Sequence, residues 1–328
     1  MSNRVVIIIP YFGKFPNYFN FWEKSAVANK DFDFLIFTDN SYKSYKNITF
    51  VKTTFDDFKD LLQKQVEFPI NLKSPYKLCD FKPLYGCALQ KYIHGYDFWG
   101  YCDLDLIFGD LKKFITPDVL NKYDKIYSFG HLTLLRNNDD CNYLWRYKHH
   151  LDAYRYDEAF KTPYSCNFDE MLGINQIAKA KNIRYYQQID FADIDYTKYN
   201  FFLIGKQKKV VPGVFVWKEG KLFYHWLENG KDNVMELAYA HFQKRPMKVI
   251  KKTEQGDQFI MIPNSIVVDK NYYPYLKNQV IKTAYPYWEK RKKEEFWKNK
   301  RNHSLQQHVY RSLFRKYWRK VLDHQNER

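Results

Sequence analysis

The N-terminal third of the chain alternates short apolar runs with amphipathic stretches. Residues 5–9 are five consecutive β-branched residues that end at Pro10, which is typical of a strand buried on both faces of a parallel sheet. Apolar positions at helical spacing predict an amphipathic helix over residues 17–29, and residues 32–37 predict a second strand. Strand, helix and strand in this order predict a right-handed βαβ unit.

This alternation continues as far as a fourth strand. Residues 48–51 predict a third strand, residues 55–65 a helix, and Pro83 is placed to open a helix that runs to residue 92. Residues 98–102 are the next apolar strand. The order of elements predicts a doubly wound α/β fold, with a mostly parallel sheet and helices on both of its faces.

The second half of the chain carries weaker and more varied patterns. We expect short strands over residues 125–128 and 132–135, and a helix over residues 169–181. Residues 214–217 and 222–224 flank a Lys-Glu-Gly-Lys turn, which predicts a hairpin because glycine supplies the positive φ of a tight turn. This half is therefore predicted to be mixed α+β.

Composition excludes a disordered chain and points to an anionic partner. Hydrophobic residues make up 45% of the 328 residues, enough for a sizeable core. The 53 Lys and Arg residues outnumber the 37 Asp and Glu residues, which gives a formal net charge of +16. Nucleotides, nucleic acid and an acidic membrane surface all fit this charge, and charge alone does not choose among them.

Cysteine usage and hydropathy indicate the cytoplasm. The five cysteines are odd in number and form no C-x-x-C pair, so neither a disulfide framework nor a thiolate zinc site is indicated. No apolar run approaches the roughly 18 residues of a membrane span, and the first run is shorter than the apolar core of a secretory signal. We expect neither export nor a membrane span.

Residues 288–328 form a basic tail. They hold 13 basic and five acidic residues, so this segment carries +8, half of the total charge. Apolar residues recur at every fourth position from Leu305 to Val321, while Arg311, Arg315 and Arg319 occupy another face. The pattern predicts an amphipathic basic helix that docks on the protein, contacts nucleic acid or lies on an anionic membrane, and we favour the membrane.

Two carboxylates follow the fourth predicted strand directly. Asp103 and Asp105 are one residue apart, and ligands of open α/β sheets bind beyond the carboxyl ends of the strands. Such a pair is suited to hold a hard divalent cation that bridges a diphosphate. Aspartate is also common after strands as a turn or cap residue, which is the structural alternative.

The ends of the first two strands suggest a nucleotide site. Pro10 and Tyr11 end the first strand, and Asp39 follows the second. A flat aromatic ring can stack on a base, while a carboxylate can accept hydrogen bonds from a base edge or a ribose. Alternatively, Tyr11 belongs to the core and Asp39 to a turn.

Taken together, these motifs resemble those of GT-A glycosyltransferases. More narrowly, the chain resembles bacterial capsular and exopolysaccharide transferases, which are similar in layout to retaining enzymes of the glycogenin and galactosyltransferase type. The resemblance covers residues 1 to about 250 and lies in the order of four motifs: strand-Pro-Tyr, Phe37-Thr38-Asp39, Tyr101-Cys102-Asp103-Leu104-Asp105 and His241-Phe242-Gln243-Lys244-Arg245. It implies a GT-A-like, Rossmann-like fold.

The resemblance also implies a metal site. In the family, the two aspartates and a later histidine hold Mn²⁺ or Mg²⁺ on the donor diphosphate, which assigns Asp103, Asp105 and His241 as ligands, with Asp103 also at the nucleotide. A lysine soon after the histidine binds phosphate, which assigns Lys244. Here Phe-Gln-Lys-Arg-Pro follows the histidine in place of a Gly and a Lys-Pro. An imidazole and two carboxylates suit a Mn²⁺-like ion in any case.

Further residues gain roles from the same resemblance. Asp169 and Glu170 match an acidic pair beside the transferred sugar, although helix capping would explain them equally well. His131 lies in a segment that resembles the lining of the donor-sugar pocket, with a β-bulge as the alternative. Lys77, with Asp80 and Lys82, lies where family members place donor contacts, and a solvated helix face would look the same. We predict that His131, Asp169 and Glu170 face the acceptor.

The predicted domain organisation follows these assignments. Residues 1–250 form a GT-A-like catalytic domain, with a nucleotide-binding half over residues 1–110 and an acceptor half over residues 111–250. Residues 251–287 form an extension ahead of the basic tail. No internal repeat and no Gly/Ser-rich linker marks a sharper boundary.

The resemblance implies metal-dependent transfer of a hexose, galactose or glucose, from a UDP-sugar to a saccharide acceptor. The acceptor is expected on a polyprenyl diphosphate lipid at the inner face of the plasma membrane, and the configuration of the sugar is expected to be retained. No nucleic-acid partner is expected. Two other hypotheses stay open: a metal-dependent nuclease or phosphodiesterase acting on a polyanion, and a non-catalytic carbohydrate or membrane adaptor.

Overall fold

The computed structural model describes residues 3–195, 198–201, 203, 212–243, 245–252 and 257–279. Lys244 and the basic tail, to which the sequence analysis assigns roles, lie outside the described residues. The described part holds no helix with the length and apolar character that crossing a bilayer requires.

The strands are distributed over the whole described part of the chain. In chain order they are β1 (Val5–Pro10), β2 (Phe32–Thr38), β3 (Ile48–Lys52), β4 (Phe98–Cys102), β5 (Leu106–Phe108), β6 (Lys125–Phe129), β7 (Leu132–Arg136), β8 (Tyr185–Tyr186), β9 (Ala192–Asp193), β10 (Gly213–Lys218), β11 (Lys221–Glu228), β12 (Lys231–Leu237), β13 (Tyr239–His241), β14 (Lys248–Lys251), β15 (Gln258–Ile262) and β16 (Ser265–Val268).

The helices are mostly short. They are α1 (Phe19–Ala28), α2 (Phe55–Gln63), α3 (Tyr85–Ala88), α4 (Gln90–Ile93), α5 (Leu111–Phe114), α6 (Pro117–Lys122), α7 (Asp139–Asn142), α8 (Tyr156–Lys161), α9 (Ile174–Ala180) and α10 (Tyr273–Lys277). Two further segments are 3₁₀-helical, Pro75–Leu84 and Leu144–Arg146.

The first sheet has the strand order β3-β2-β1-β4-β7-β6-β8. The first four of these strands run parallel, β7 runs antiparallel to both β4 and β6, and β8 is parallel to β6. The predicted α/β fold with a mostly parallel sheet is therefore confirmed. The carboxyl ends of β1, β2 and β4 lie at one edge, where ligands of such sheets bind.

Both faces of this sheet are buried, as the unbroken apolar run of β1 predicts. Successive side chains of a strand point to opposite faces. Val6 and Ile8 accordingly pack with Phe58 of α2 on one face, whereas Ile7 packs with Trp22 of α1 on the other. Helices thus cover both faces, also as predicted.

Local sequence explains where several elements begin and turn. At the start of α2, the Thr54 hydroxyl accepts a hydrogen bond from the Asp57 N–H (3.1 Å), and the Asp57 carboxylate accepts one from the Thr54 N–H (3.4 Å). This capping box satisfies two amides that the helix itself cannot pair. The predicted hairpin is confirmed as β10 and β11, with Glu219 (φ 49°) and Gly220 (φ 81°) in the left-handed region that such a turn needs.

Two smaller sheets make up the mixed second half. A six-stranded sheet has the order β12-β11-β10-β15-β16-β14, so strands from both sides of residue 250 belong to it. The predicted division at residue 250 does not coincide with a break in this sheet. The third sheet, β5-β13-β9, joins three distant parts of the chain next to the end of β4.

The predicted helix that runs to residue 92 is confirmed in part: these residues are mostly helical, but they do not form one α-helix opened by Pro83. Pro83 lies inside the 3₁₀ segment Pro75–Leu84, and two one-turn helices, α3 and α4, follow. A 3₁₀-helix has about three residues per turn, so residues three apart lie along one side. Lys77 and Asp80 form a buried ion pair at this spacing.

The predicted helix over residues 169–181 begins later than expected. Residues 169–173 form turns, and α9 starts at Ile174. Asn167 is in the left-handed region (φ 51°), and Gly173 has φ −151° and ψ −107°, so neither can continue a helix. Asp169 and Glu170 therefore do not cap a helix, and both carboxylates are directed elsewhere.

Substituting Gly100 should disrupt the centre of the first sheet. A Cβ on this residue of β4 would collide with the Thr133 carbonyl oxygen and the Leu134 side chain of β7. We expect Gly100→Ala to lower the free energy of unfolding by about 1–3 kcal/mol, measured by urea denaturation. As a control, Gly230→Asn should cost less, because that turn is open and asparagine tolerates a positive φ. Equal losses in both variants would contradict the packing argument.

Candidate metal and substrate site

Asp103 and Asp105 lie in the connection between β4 and β5, at the edge of the first sheet. The Leu104 side chain between them is buried in the core, while both aspartates are partly exposed. The Asp103 N–H donates to the His131 carbonyl (3.1 Å), which ties this connection to the residue before β7. The strand end thus presents two carboxylates from a rigid backbone.

The small third sheet brings His241 to these aspartates. In the β5–β13 register His241 lies opposite Leu106, and the Phe242 N–H donates to the Asp105 carbonyl at 2.8 Å. The His241 Nε2 atom is 3.4 Å from Asp105 Oδ1. One ligand atom from each of Asp103, Asp105 and His241 lies within 4.8 Å of the others. The three residues predicted as metal ligands are therefore brought together.

A third carboxylate, which sequence reasoning missed, orients the histidine. Asp193 ends β9, and its Oδ1 atom is 2.9 Å from His241 Nδ1. The Gln243 side chain donates to the same oxygen at 2.6 Å. Asp193 is buried and belongs to a strand of only two residues, so no local pattern marks it.

These donors fit a divalent cation. Histidines that bind metals usually donate their second ring N–H to a carboxylate, as His241 is placed to do toward Asp193. Oxygen ligands with one imidazole suit Mn²⁺, and Mg²⁺ prefers carboxylates. Burial opposes the charged ring, but Asp105 and Asp193 outweigh burial and raise the pKa of His241 to about 10. In the absence of metal, the histidine thus carries a proton that a metal would displace.

Lys82 lies between Asp103 and Asp169 and contacts both. Its Nζ atom is 2.7 Å from Asp103 Oδ1, 2.8 Å from the Gly130 carbonyl oxygen and 3.5 Å from Asp169 Oδ2. Burial opposes the charge, yet Asp103 and Asp169 raise the pKa of Lys82 well above its usual value. A buried ammonium therefore lies between two groups of residues. The first is Asp103, Asp105 and His241, which we call the metal cluster, and the second is the acidic pair, Asp169 and Glu170.

Asp169 and Glu170 converge on Gly130. Glu170 Oε1 accepts a hydrogen bond from the Gly130 N–H (2.7 Å), and a Cβ on Gly130 would lie 2.9 Å from that oxygen and collide with Asp169 Oδ2. Only glycine fits this close approach. Burial raises the pKa of both carboxyls, and the cation of Lys82 opposes the shift. The Asp169 carbonyl accepts from the Tyr101 hydroxyl (3.2 Å), which fixes the turn on β4.

The predicted alternative for the His131 segment, a β-bulge, is also present. The β6–β7 register shifts between Ile126 and Phe129, and Tyr127 has φ 65°. The buried Lys125 amine donates to the Tyr127 carbonyl (2.6 Å) and holds the bulge in place. Burial lowers the pKa of Lys125 to about 7. After the bulge, Gly130 contacts the acidic pair, so the structural alternative is present.

His131 lies behind His241 rather than on an open face. It is only 3% exposed, its Nδ1 atom is 3.1 Å from the Tyr239 hydroxyl, and its ring centroid is 4.3 Å from that of His241. Burial and the neighbouring His241 lower the pKa of His131 well below its usual value. The expectation that His131 faces an acceptor does not fit this buried position, in which its ring contacts His241 instead.

The ends of the first two strands are joined to each other. Pro10 ends β1, and Tyr11 donates its N–H to the Phe37 carbonyl of β2 (2.8 Å). Burial and the charge of Asp105 raise the pKa of Tyr11. Asp39 is exposed and accepts from the Gly13 N–H at 2.9 Å. The tyrosine is thus only partly a core residue, and the aspartate does stabilise a turn.

The predicted donor contact from Lys77 does not fit the structure. Its side chain is 2% exposed, and its amine pairs with Asp80 and donates to the carbonyls of Ala159 and Tyr164. The alternative of a solvated face is wrong for the same reason. The lysine of this segment that reaches the site is Lys82.

These observations define the class of the protein. It is an α/β protein with a cluster of carboxylates and histidine at the ends of its central strands. The chain belongs to a family described as a family of unknown function (DUF6625), which it matches over residues 7–270. No curated protein matches the sequence.

Solved structures similar to this chain include two glycosyltransferases. One is the galactosyltransferase LgtC in complex with donor and acceptor sugar analogs, at 14% identity over 73% of this chain and 87% of that chain, with a TM-score of 0.36. The other is GlyE of Streptococcus pneumoniae TIGR4, at 13% identity over 58% of this chain and 46% of that chain, with a TM-score of 0.32. At TM-scores below 0.5 this likeness assigns no function.

Binding of Mn²⁺ should release a proton, because a protonated His241 must become neutral to act as a ligand. With the pKa of His241 at about 10, the apparent affinity should rise about tenfold per pH unit between about pH 6.5 and 8.5. Calorimetric titration in buffers of different ionisation enthalpy measures the released protons. An affinity that does not change with pH would contradict the role of His241.

Removing the carboxylate behind His241 should weaken the metal site without emptying it. We expect Asp193→Asn to lower Mn²⁺ affinity about 10- to 100-fold, because the ring loses the partner that orients it and raises its basicity. Asp190→Asn is a matched control, since Asp190 accepts from the Tyr186 hydroxyl (2.9 Å) on the same segment. Equal affinities in the two variants would show that Asp193 does not orient the ligand.

Proposed function

We propose that this protein is a metal-dependent glycosyltransferase that moves a hexose, galactose or glucose, from a UDP-sugar to a saccharide acceptor. One observation carries the proposal: Asp103, Asp105 and His241 converge at the strand ends, and Lys82 links them to the buried acidic pair. This arrangement supports the proposal, because a cation held by these three residues would lie next to carboxyl groups that could bind a sugar.

The donor is proposed to lie across the ends of β1, β2 and β4. Tyr11 would stack on the uracil, and Asp39 would accept hydrogen bonds from the base or the ribose. Asp103, Asp105 and His241 would hold Mn²⁺ or Mg²⁺, which when bound neutralises charge on the diphosphate. Lys244, which is outside the described residues, is proposed to contact phosphate as well.

The reaction itself needs charge stabilisation more than covalent chemistry. The bond between the anomeric carbon and the diphosphate oxygen breaks, and its electron pair leaves with UDP. An acceptor hydroxyl oxygen bonds to the carbon and gives its proton to the departing diphosphate. Lys82 lies between the metal cluster and Asp169, so its ammonium would stabilise the departing negative charge. Asp169 and Glu170 would orient the sugar hydroxyls, and we propose that the configuration is retained.

The setting proposed for this reaction is capsular or surface polysaccharide synthesis in the cytoplasm. A saccharide on a polyprenyl diphosphate would serve as the acceptor at the inner face of the plasma membrane. The +8 charge of residues 288–328 supports this setting, because basic segments are attracted to anionic lipid surfaces.

A screen of sugar nucleotides for slow hydrolysis, with and without Mn²⁺, tests the proposal, since hydrolysis requires no acceptor. We expect a UDP-hexose to be hydrolysed only in the presence of metal. Asp105→Ala should reduce turnover on the order of 100-fold or more while the thermal unfolding temperature stays close to that of the wild type.

Asp31→Ala is the matched control for this loss. Asp31 pairs with Lys112 (2.8 Å) on the surface, so its removal should leave turnover unchanged. The proposal fails if no sugar nucleotide is hydrolysed and UDP with Mn²⁺ does not raise the unfolding temperature. Tight, steeply salt-dependent binding of DNA or RNA would then favour a nuclease.

A further inference from the structure

A buried carboxylate beneath the site organises the chain just before the acidic pair. The Asp80 side chain is fully buried in the 3₁₀ segment Pro75–Leu84. It accepts hydrogen bonds from the Cys166 N–H (2.8 Å to Oδ2) and the Phe168 N–H (2.8 Å to Oδ1). These two amides flank Asn167, so one side chain supplies the acceptors for a turn that comes from a distant part of the chain.

Lys77 completes this arrangement as the counter-ion of Asp80. Its ammonium pairs with Asp80 and also donates to the Ala159 and Tyr164 carbonyls. Asp80 therefore accepts hydrogen bonds from amides that follow residue 165. Lys77 donates hydrogen bonds to carbonyls that precede it. Both ends of the segment that leads to the acidic pair are attached to the same 3₁₀ helix.

The turn held in this way reverses the chain just before the acidic pair. Asn167 has φ 51°, a left-handed conformation that asparagine tolerates better than most residues. Two residues later the chain must place Asp169 near Lys82 and Glu170 on the Gly130 N–H, at 3.5 Å and 2.7 Å. Small shifts of residues 166–168 would be passed directly to both carboxyl groups.

We propose that Lys77 and Asp80 are positioning residues, which fix residues 166–168 so that Asp169 and Glu170 meet the sugar. The expected effect on turnover rests on the proposed glycosyl transfer. The ordering of the turn by Lys77 and Asp80 is independent of that proposal. The pair is buried and contacts the turn rather than the metal cluster, so metal binding is expected to be independent of it.

Asp80→Asn tests this role, because the amide keeps the size of the carboxyl group but replaces one acceptor by a donor. We expect kcat for UDP-sugar hydrolysis to fall about 10- to 100-fold with KM and Mn²⁺ affinity within about twofold of the wild type. Hydrogen exchange should accelerate at the Cys166 and Phe168 amides but not at the amides of β1.

A second variant separates positioning from stability. Asp80→Asn leaves the Lys77 ammonium buried without its counter-ion and could unfold the protein. The double variant with Lys77→Met removes both charges, so the unfolding temperature should recover while kcat stays low. Recovery of kcat together with stability would overturn the proposal. Asp124→Asn is the control, since Asp124 pairs with Arg136 (2.6 Å) at the opposite end of β7.

The two proposals fail in different ways. If the wild-type protein hydrolyses no sugar nucleotide, glycosyl transfer fails, and hydrogen exchange alone decides the role of the pair. Unchanged exchange at Cys166 and Phe168 in the folded double variant overturns positioning, whether or not the wild type is active. Faster exchange confined to this turn supports it.

Discussion

The placement of His241 between two carboxylates is the interaction on which the site depends. Asp105 and Asp193 lie on opposite sides of the imidazole, at 3.4 Å and 2.9 Å from its two nitrogens. Groups of this kind stay together out of water only when a rigid backbone holds them. The three-stranded sheet of β5, β13 and β9 supplies that backbone, because His241 pairs with Leu106 on one side and with Asp193 on the other.

Charge balance around this sheet explains why a basic residue is buried in an acidic site. Asp103 and Asp169 both face the Lys82 ammonium, whose third contact is the Gly130 carbonyl. Burial raises the pKa of the Asp169 carboxyl, and the Lys82 ammonium opposes that shift. Gly130 allows this close packing because it has no side chain to collide with Asp169.

Much of the fold could be predicted from local patterns. The apolar run of β1, the spacing of α1 and the Lys-Glu-Gly-Lys hairpin each reflect a periodicity that neighbouring residues display. Failures occurred where a distant partner decided the local structure. Pro83 lies inside a 3₁₀ segment whose Lys77–Asp80 pair binds a distant part of the chain, and the α-helical turns begin only at Tyr85. Asp169 does not cap a helix because its turn is held by Asp80.

By itself, the sequence determined the alternation of strands and helices and the position of Asp103 and Asp105 directly after a buried strand. Strand periodicity and chain direction are local properties, so they can be recognised without any knowledge of the fold. Only the tertiary structure decided that Asp193 orients His241, that Lys82 rather than Lys77 reaches the site, and that His131 is buried behind the cluster. Those contacts join residues that are remote in the chain, and no spacing between neighbouring residues encodes which of them will meet.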